Sequence, residues 1–322
     1  MRNAFADEIT ALGQADPRIV LLSGDIGNRL FDRFKDAAPG RFFNCGVAEA
    51  NMMGVAAGLG LNKLRPVVYT IAPFTTIRCL EQIKIDVCYH GSPVIFVGTG
   101  AGLSYAQLGP THHSLEDVAI LRALPGLTIF CPCDSHELRA GLRAALQGVR
   151  PVYIRIGKKG EPHLHAEIPT LELGKALTLR QGSDLCFIGT GPITGVALAA
   201  AEELAKQGVS ARVESFHTVK PLDEERLRDL TSRFGLLAVV EEHSRIGGLY
   251  GAISEWQLRH ALGNLTRQSL IASFALADAF VHRVGSQEQT RMRAELNGTA
   301  IAGAILEILR NAGKGDAHRS RL

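Results

Sequence analysis

The stretch Ser92–Gly100, SPVIFVGTG, sets four consecutive β-branched or aromatic residues, Val94 to Val97, directly before a small-residue turn. A continuous apolar run of that length, bounded by Pro93 and by Gly98 and Gly100, is the pattern of a strand buried on both faces. The same pattern recurs on either side. Upstream stand RIVLLSGD (18–25), RFFNCG (41–46) and PVVYT (66–70), and downstream stand LTIFCP (127–132) and PVYIRI (151–156). Helical segments such as Ser114–Leu124, SLEDVAILRAL, and Ser135–Gly148, SHELRAGLRAALQG, lie between them. Strands alternating with helices make a parallel, doubly wound α/β unit over residues 1–160. The ligands of such a sheet gather beyond the carboxyl ends of its strands. From Gly157 to Ser183 the pattern turns to mixed charge, glycine and proline, and a linker carrying a short strand or two is expected, placed at 161–183. A second α/β unit over 184–322 follows, with strands in DLCFIGTG, ARVESFH and GLLAVVEEH and a helical crossover in ITGVALAAAEELAKQ. The fold class is therefore α/β with two doubly wound domains, a number that a length of 322 residues also favours.

The charge balance excludes several partners. A net charge of +3 from 35 basic and 32 acidic residues, with no long basic block, gives no footprint for nucleic acid or a membrane surface. Asp7 and Glu8 stand where a signal peptide needs its apolar stretch, and no segment reaches the length of a membrane span, so a cytoplasmic location is expected. Six cysteines in such a chain are expected as core thiols. Cys131 and Cys133, in a C-x-C arrangement without a second pair, lack the usual zinc spacing and are read as structural.

Two glycine-rich turns invite a cofactor reading and do not sustain it. GTGPITG (189–195) follows a strand, but its spacing is not that of a dinucleotide fingerprint, Pro192 removes an amide, and Glu214 sits inside the next strand rather than at its end. SGDIGN (23–28) offers Asp25 and Asn28 as hard oxygen ligands without a second ligand group further on, so no metal ligands are assigned to this chain.

Three consecutive loops at the sheet's carboxyl edge carry the chemistry. Glu49 opens a helix in NCGVAEANMMGVAAGLG (44–60), Phe74 and Arg78 lie in YTIAPFTTIRCLEQIK (69–84), and His112 lies in GPTHHSLED (109–117). Each alone has an ordinary structural reading, a first-turn acid, a core aromatic and a polar loop residue. Jointly they define a pocket.

GVAEANMMGVAAGLGL, PVVYTIAPFTTIRCLEQIK, GPTHHSLEDVAILRALPGLTIFCPCDSHEL and VVEEHSRIGGL resemble the pyrimidine-binding and C-terminal domains of transketolase and of deoxyxylulose-phosphate synthase. The resemblance is collinear over nearly the whole chain. It implies thiamine diphosphate as cofactor and a role as the second subunit of a split transketolase. The diphosphate, with Mg²⁺ or Ca²⁺, would be bound mainly by a partner subunit that carries the family's N-terminal-type domain. An α2β2 assembly transferring a ketol unit between small carbonyl substrates is then expected. A component of a decarboxylating 2-oxo-acid enzyme and a non-catalytic subunit of the same fold are the alternatives.

By the same resemblance, Glu49 hydrogen-bonds N1′ of the cofactor's aminopyrimidine in an apolar setting. Phe74 stacks on that ring, with Ile71 and Tyr69 as rivals for the position. His112 faces the reacting centre as acid, base or hydroxyl partner. Lys158 stands where the family has a phosphate-binding arginine, and Arg78 is a further group for an anionic substrate. Leu108 replaces an aspartate that reads a substrate hydroxyl, and near Gly100, where some relatives have a phosphate-contacting histidine, no cation stands.

Overall fold

The computed structural model describes residues 1–27, 29–261 and 269–319, and its strands form two sheets. The first contains β1 (Ile19–Ser23), β2 (Phe42–Asn44), β3 (Arg65–Ile71), β4 (Ile95–Thr99), β5 (Thr128–Phe130) and β6 (Val152–Ile156). The second contains β7 (Leu177–Arg180), β8 (Leu185–Thr190), β9 (Ala211–Ser215), β11 (Leu236–Ser244) and β12 (Leu270–Leu276). The short strand β10 (Thr218–Lys220) lies between β9 and β11 in the chain but joins the first sheet.

The first sheet runs in the order β10-β5-β6-β4-β3-β1-β2 and is parallel except for β10. Its apolar runs are continuous because both faces are covered. Val20, Leu22, Val68 and Phe96 enter one core with Met52 and Met53, while Leu21, Val67, Tyr69, Ile95 and Val97 enter the other with Phe5 and Phe34. The second sheet runs β12-β11-β8-β9-β7, with β7 antiparallel at its edge. β7 lies inside the stretch expected as a linker, and Ala176 just before it is buried.

A hydrophobic core runs across the junction. Leu237, Val239, Ile188 and Trp256 of the second unit pack in one cluster with Val118, Leu121 and Leu127 of the first. Polar bonds seal the same seam. Arg155 on β6 binds Asp117 through Nε at 2.8 Å and donates through Nη2 to the carbonyls of Ser114 and Glu242. Lys220 reaches back to the carbonyl of Arg122 at 2.8 Å. The antiparallel β10 is the departure from two separate doubly wound sheets, because one strand of the second segment finishes the edge of the first sheet.

Candidate active site

The helix Glu49–Leu61 begins just beyond the carboxyl end of β2, and its first residue is 3% exposed. A buried carboxylate needs partners, and Glu49 finds them across the sheet edge rather than in its own helix. Arg78 Nη1 donates to Glu49 Oε2 at 2.7 Å, and Thr70 Oγ1, at the end of β3, donates to Oε1 at 3.4 Å. Gly24, after β1, keeps this corner open, since a Cβ there would meet Thr70 Oγ1 at 2.9 Å and Glu49 Oε1 at 3.5 Å.

The segment after β3 is a broken helix, a single turn Ala72–Thr75 followed by a tight turn Ile77–Cys79. This break sets Phe74 and Arg78 face to face, with the guanidinium 4.1 Å from the ring centre in a cation–π contact. The setting expected to be apolar therefore contains an arginine. Arg78, expected at an anionic substrate, is engaged by Glu49 and Phe74.

His112 also meets the Phe74 ring. Their ring centres lie 5.3 Å apart, nearly edge to face. Thr111 Oγ1 lies 2.9 Å from His112 Nδ1, which orients the ring and leaves Nε2 free of protein partners among the described residues. Partial burial, His113 and the Arg78 charge together hold the His112 imidazole below the ordinary histidine value of 6.5, so at neutral pH it is the uncharged base.

The loop between β4 and His112 supplies a residue the sequence did not single out. Tyr105 lies over Gly100, where a Cβ would come within 2.1 Å of the ring, and Gly100 has φ of +83°. Lys158 Nζ sits 4.9 Å from the centre of the Tyr105 ring, and Tyr105 lies 6.3 Å from His112. A glycine before an aromatic five residues on is the signal that could have found it. The residues beside Gly100 in sequence include no cation, and the fold brings one there by seating Lys158 against the ring that covers Gly100.

Glu49, Arg78, Phe74, His112, Tyr105 and Lys158 thus form one contiguous line across the carboxyl edge of β2, β3, β4 and β6. The remaining expected residues lie off it. Tyr69 is fully buried on the opposite face of the sheet, stacked on Phe5 at 5.3 Å and edge-on to Phe31 at 5.0 Å, so its position on the strand turns it away from Glu49. Ile71 is half-buried at the end of β3, and Leu108 is 49% exposed on the loop before His112. Asp25 takes Asn44 as a partner at 3.1 Å, whereas Asn28 lies outside the described residues. In the GTGPITG turn, Thr194 Oγ1 bonds the carbonyl of Gly191, and Glu214 is buried against Arg212 and Thr178, which makes the turn a structural one.

The loop from Gly100 to Ser114 is clamped at both ends. Gly102 and Ser114 form a two-residue antiparallel bridge. The Leu103 N–H donates to Glu242 Oε1 at 2.5 Å, and Glu242 is also held by Gln287 and Arg291.

Comparison with known proteins agrees with this geometry. Residues 1–161 match the model of the transketolase pyrimidine binding domain, and residues 174–287 match that of the transketolase C-terminal domain. The chain belongs to the transketolase family. It is 40% identical over 256 residues to the 6-deoxy-6-sulfo-D-fructose transketolase subunit SqwH of Clostridium sp. (strain MSTE9), covering 79% of this chain and 80% of that one. It is 38% identical over 255 residues to a subunit of the apulose-4-phosphate transketolase of Phocaeicola vulgatus, covering 78% and 81%. A solved split gene transketolase, described as an inactive beta4 tetramer, superposes with a TM-score of 0.84 at 32% identity, covering 95% and 96%. The chain is thus the second, pyrimidine-binding type of subunit of a split, thiamine-dependent transketolase-like transferase. Among the described residues no helix is long and apolar enough to cross a membrane.

Proposed function

We propose that this chain, with a partner subunit, transfers a two-carbon ketol unit from a donor ketose to an aldehyde acceptor. The observation that carries the reading is the buried Glu49 carboxylate at the head of the line that runs through Arg78 and Phe74 to His112. The residues fit an aminopyrimidine. Among the described residues Glu49 Oε1 has only the long 3.4 Å bond from Thr70 and keeps capacity for a ring N–H, while Gly24 leaves the corner without a side chain. Thiamine diphosphate, when bound, supplies the thiazolium carbon that carries the two-carbon unit between substrates.

The chain's own residues divide the remaining work. Glu49 Oε1 holds the proton at the pyrimidine N1′, and Arg78 fixes the carboxylate's other oxygen. Phe74 stacks on the pyrimidine ring, held in place by the Arg78 guanidinium 4.1 Å from its centre. His112 is the uncharged base at the substrate, accepting a hydroxyl proton and returning it. Lys158, seated on Tyr105, attracts the substrate's distal anion, a role supported by the sulfo and phosphate groups in the names of the two relatives. Leu108 leaves a donor hydroxyl without a partner and selects against ordinary sugar phosphates. Mg²⁺ or Ca²⁺ and the diphosphate are held mainly by the partner, in an α2β2 assembly in the cytoplasm. The pyrimidine-binding domain spans 1–160 and the C-terminal domain 184–322.

The test is reconstitution with a diphosphate-binding subunit, followed by product analysis with ketose donors and with pyruvate. Ketol transfer from a ketose is expected. Release of carbon dioxide from pyruvate without ketol transfer would overturn the assignment.

A further inference from the structure

Beyond Gly157 the chain doubles back over the first turn of the helix Ser135–Gln147 and brings distant polar residues together. Asp134, fully buried, accepts through Oδ1 from the N–H groups of His136 and Glu137, both at 2.9 Å. Through Oδ2 it accepts from the N–H groups of Leu164 and His165, both at 2.8 Å. These four bonds fasten the returning strap to the helix and place the His165 ring against Glu137, with Nε2 2.9 Å from Oε1. The Cys133 thiol, a Glu137 oxygen and a His165 ring nitrogen all lie within 4.8 Å of one another. Cys133 is 1% exposed and Glu137 0%.

Two groups from the second segment lie behind this cluster. Ser215 and His217 are both completely buried, and among the described residues neither Ser215 Oγ nor His217 Nε2 has a hydrogen-bond partner. The other His217 nitrogen is used by Thr218 Oγ1 at 2.9 Å. Four of the chain's 11 histidines, His136, His163, His165 and His217, are gathered in this region. Among the described residues no lysine or arginine pairs with Asp134 or Glu137; the His165 ring meets Glu137 Oε1, and Glu137 Oε2 accepts the Cys133 N–H at 2.7 Å.

We infer that Cys133 Sγ, the Glu137 carboxylate and His165 Nε2 form a binding site for one divalent transition metal of the zinc class. A thiolate, an imidazole and a carboxylate are the donor set zinc prefers. The Cys133 thiolate and the Glu137 carboxylate together match the ion's double charge, so the ion adds no net charge of its own to the buried site. The His165 backbone is held by Asp134, so the ligand is positioned independently of its own ring. A water completing the metal's shell gives the unpartnered His217 Nε2 and Ser215 Oγ something to bond. Such an ion cross-links the chain after β5 to the strap before β7, at the seam with the β9–β10 connection. Its work is structural. The outer trio of Asp134, His136 and His163 is the weaker binder, because each Asp134 oxygen is already shared by two N–H groups.

The full chain, produced with cobalt in the growth medium, should carry one cobalt ion and show a thiolate-to-cobalt charge-transfer band. Cys133→Ser should abolish the band, and His165→Ala, which removes a ligand, should weaken metal retention by more than the about 10–100-fold that loss of a partner behind a ligand costs. His136→Ala and His163→Ala should leave the band intact. Absence of the band in the wild-type chain, its persistence in Cys133→Ser, or its loss in His136→Ala with Cys133→Ser unaffected would each overturn the site. Should Cys133→Ser fail to fold, native mass spectrometry of the zinc-grown wild type decides: one bound zinc is expected, and none overturns the inference.

Discussion

Glu49 stands 29 residues from Arg78 in the chain and 2.7 Å from it in space, and that pair organises the pocket. Replacing Glu49 with Gln keeps a hydrogen-bonding side chain of nearly equal size but cannot hold the N1′ proton in the same way. The loss of general acid–base help is expected to slow exchange of the cofactor's C2 proton by about 10²–10⁴-fold in the reconstituted complex, with fold and assembly intact. Equal exchange rates would reduce Glu49 to a helix-opening acid. His112 provides a second check. Burial, His113 and Arg78 all disfavour its charged form, so an NMR titration should place the imidazole midpoint below 6.5, and Arg78→Gln should raise it. The sign for stability follows. Between the lowered folded value and the unfolded one the unfolded chain binds more protons, so this histidine makes stability rise with pH through that window. Below it, the destabilising contribution is complete. Glu49, Phe74 and His112 were legible one by one from the residue types that open the loops. The Arg78 contact with both Glu49 and Phe74 was not, because it depends on the broken turn after β3. Tyr69 stood as a rival for Phe74 until the strand's alternation turned it into the opposite core.

At the scale of elements, the His112 loop is held by a strand of the other sheet. Glu242, at 4% exposure on β11, accepts the Leu103 N–H, and Gly102 (φ +61°) makes room for it, since a Cβ there would lie 2.3 Å from Glu242 Oε1. Hydrogen bonds to a charged acceptor are each worth roughly 1.5–3 kcal/mol. Glu242→Gln is therefore expected to speed amide hydrogen exchange at Leu103 and along the loop to His112, and to lower kcat/KM of the reconstituted enzyme without altering the amides of Glu49's helix. Unchanged exchange at Leu103 would show that the loop is held by the Gly102–Ser114 bridge and Arg155 alone. The repeated βα pattern made the parallel strands readable from their apolar runs. β10 was not readable, for three residues carry no period, and it becomes a strand only where the edge of β5 is offered to it. β12 escaped for a related reason: only one of its seven residues is buried, so it carries no continuous core pattern.

For the whole molecule, the pocket is an open edge of one sheet, and the proposed reaction needs a partner subunit to complete it. The purified chain with thiamine diphosphate and Mg²⁺ should not turn over any ketose, and activity should appear on addition of a diphosphate-binding subunit. Turnover by the chain alone would contradict this. The seam between the two sheets should be a large share of stability. Arg155 is 3% exposed and Asp117 1%, so Arg155→Met leaves a buried carboxylate uncompensated and is expected to cost about 3–5 kcal/mol in denaturant unfolding. A loss under about 1 kcal/mol would mean that Tyr153 and His243 suffice to hold Asp117. Local sequence determined the α/β class and the strand–loop–helix sites of Glu49, Phe74 and His112, because burial on two faces and the geometry of a βα loop are written in neighbouring residues. Only the tertiary structure decided that Arg78 serves Glu49, that Tyr105 carries Lys158, that β11 clamps the His112 loop, and that Cys133, Glu137 and His165 meet. Apart from Cys133 and Glu137, which are four positions apart, those contacts join residues tens to more than a hundred positions apart, and no period or spacing along a chain encodes which surfaces close upon each other.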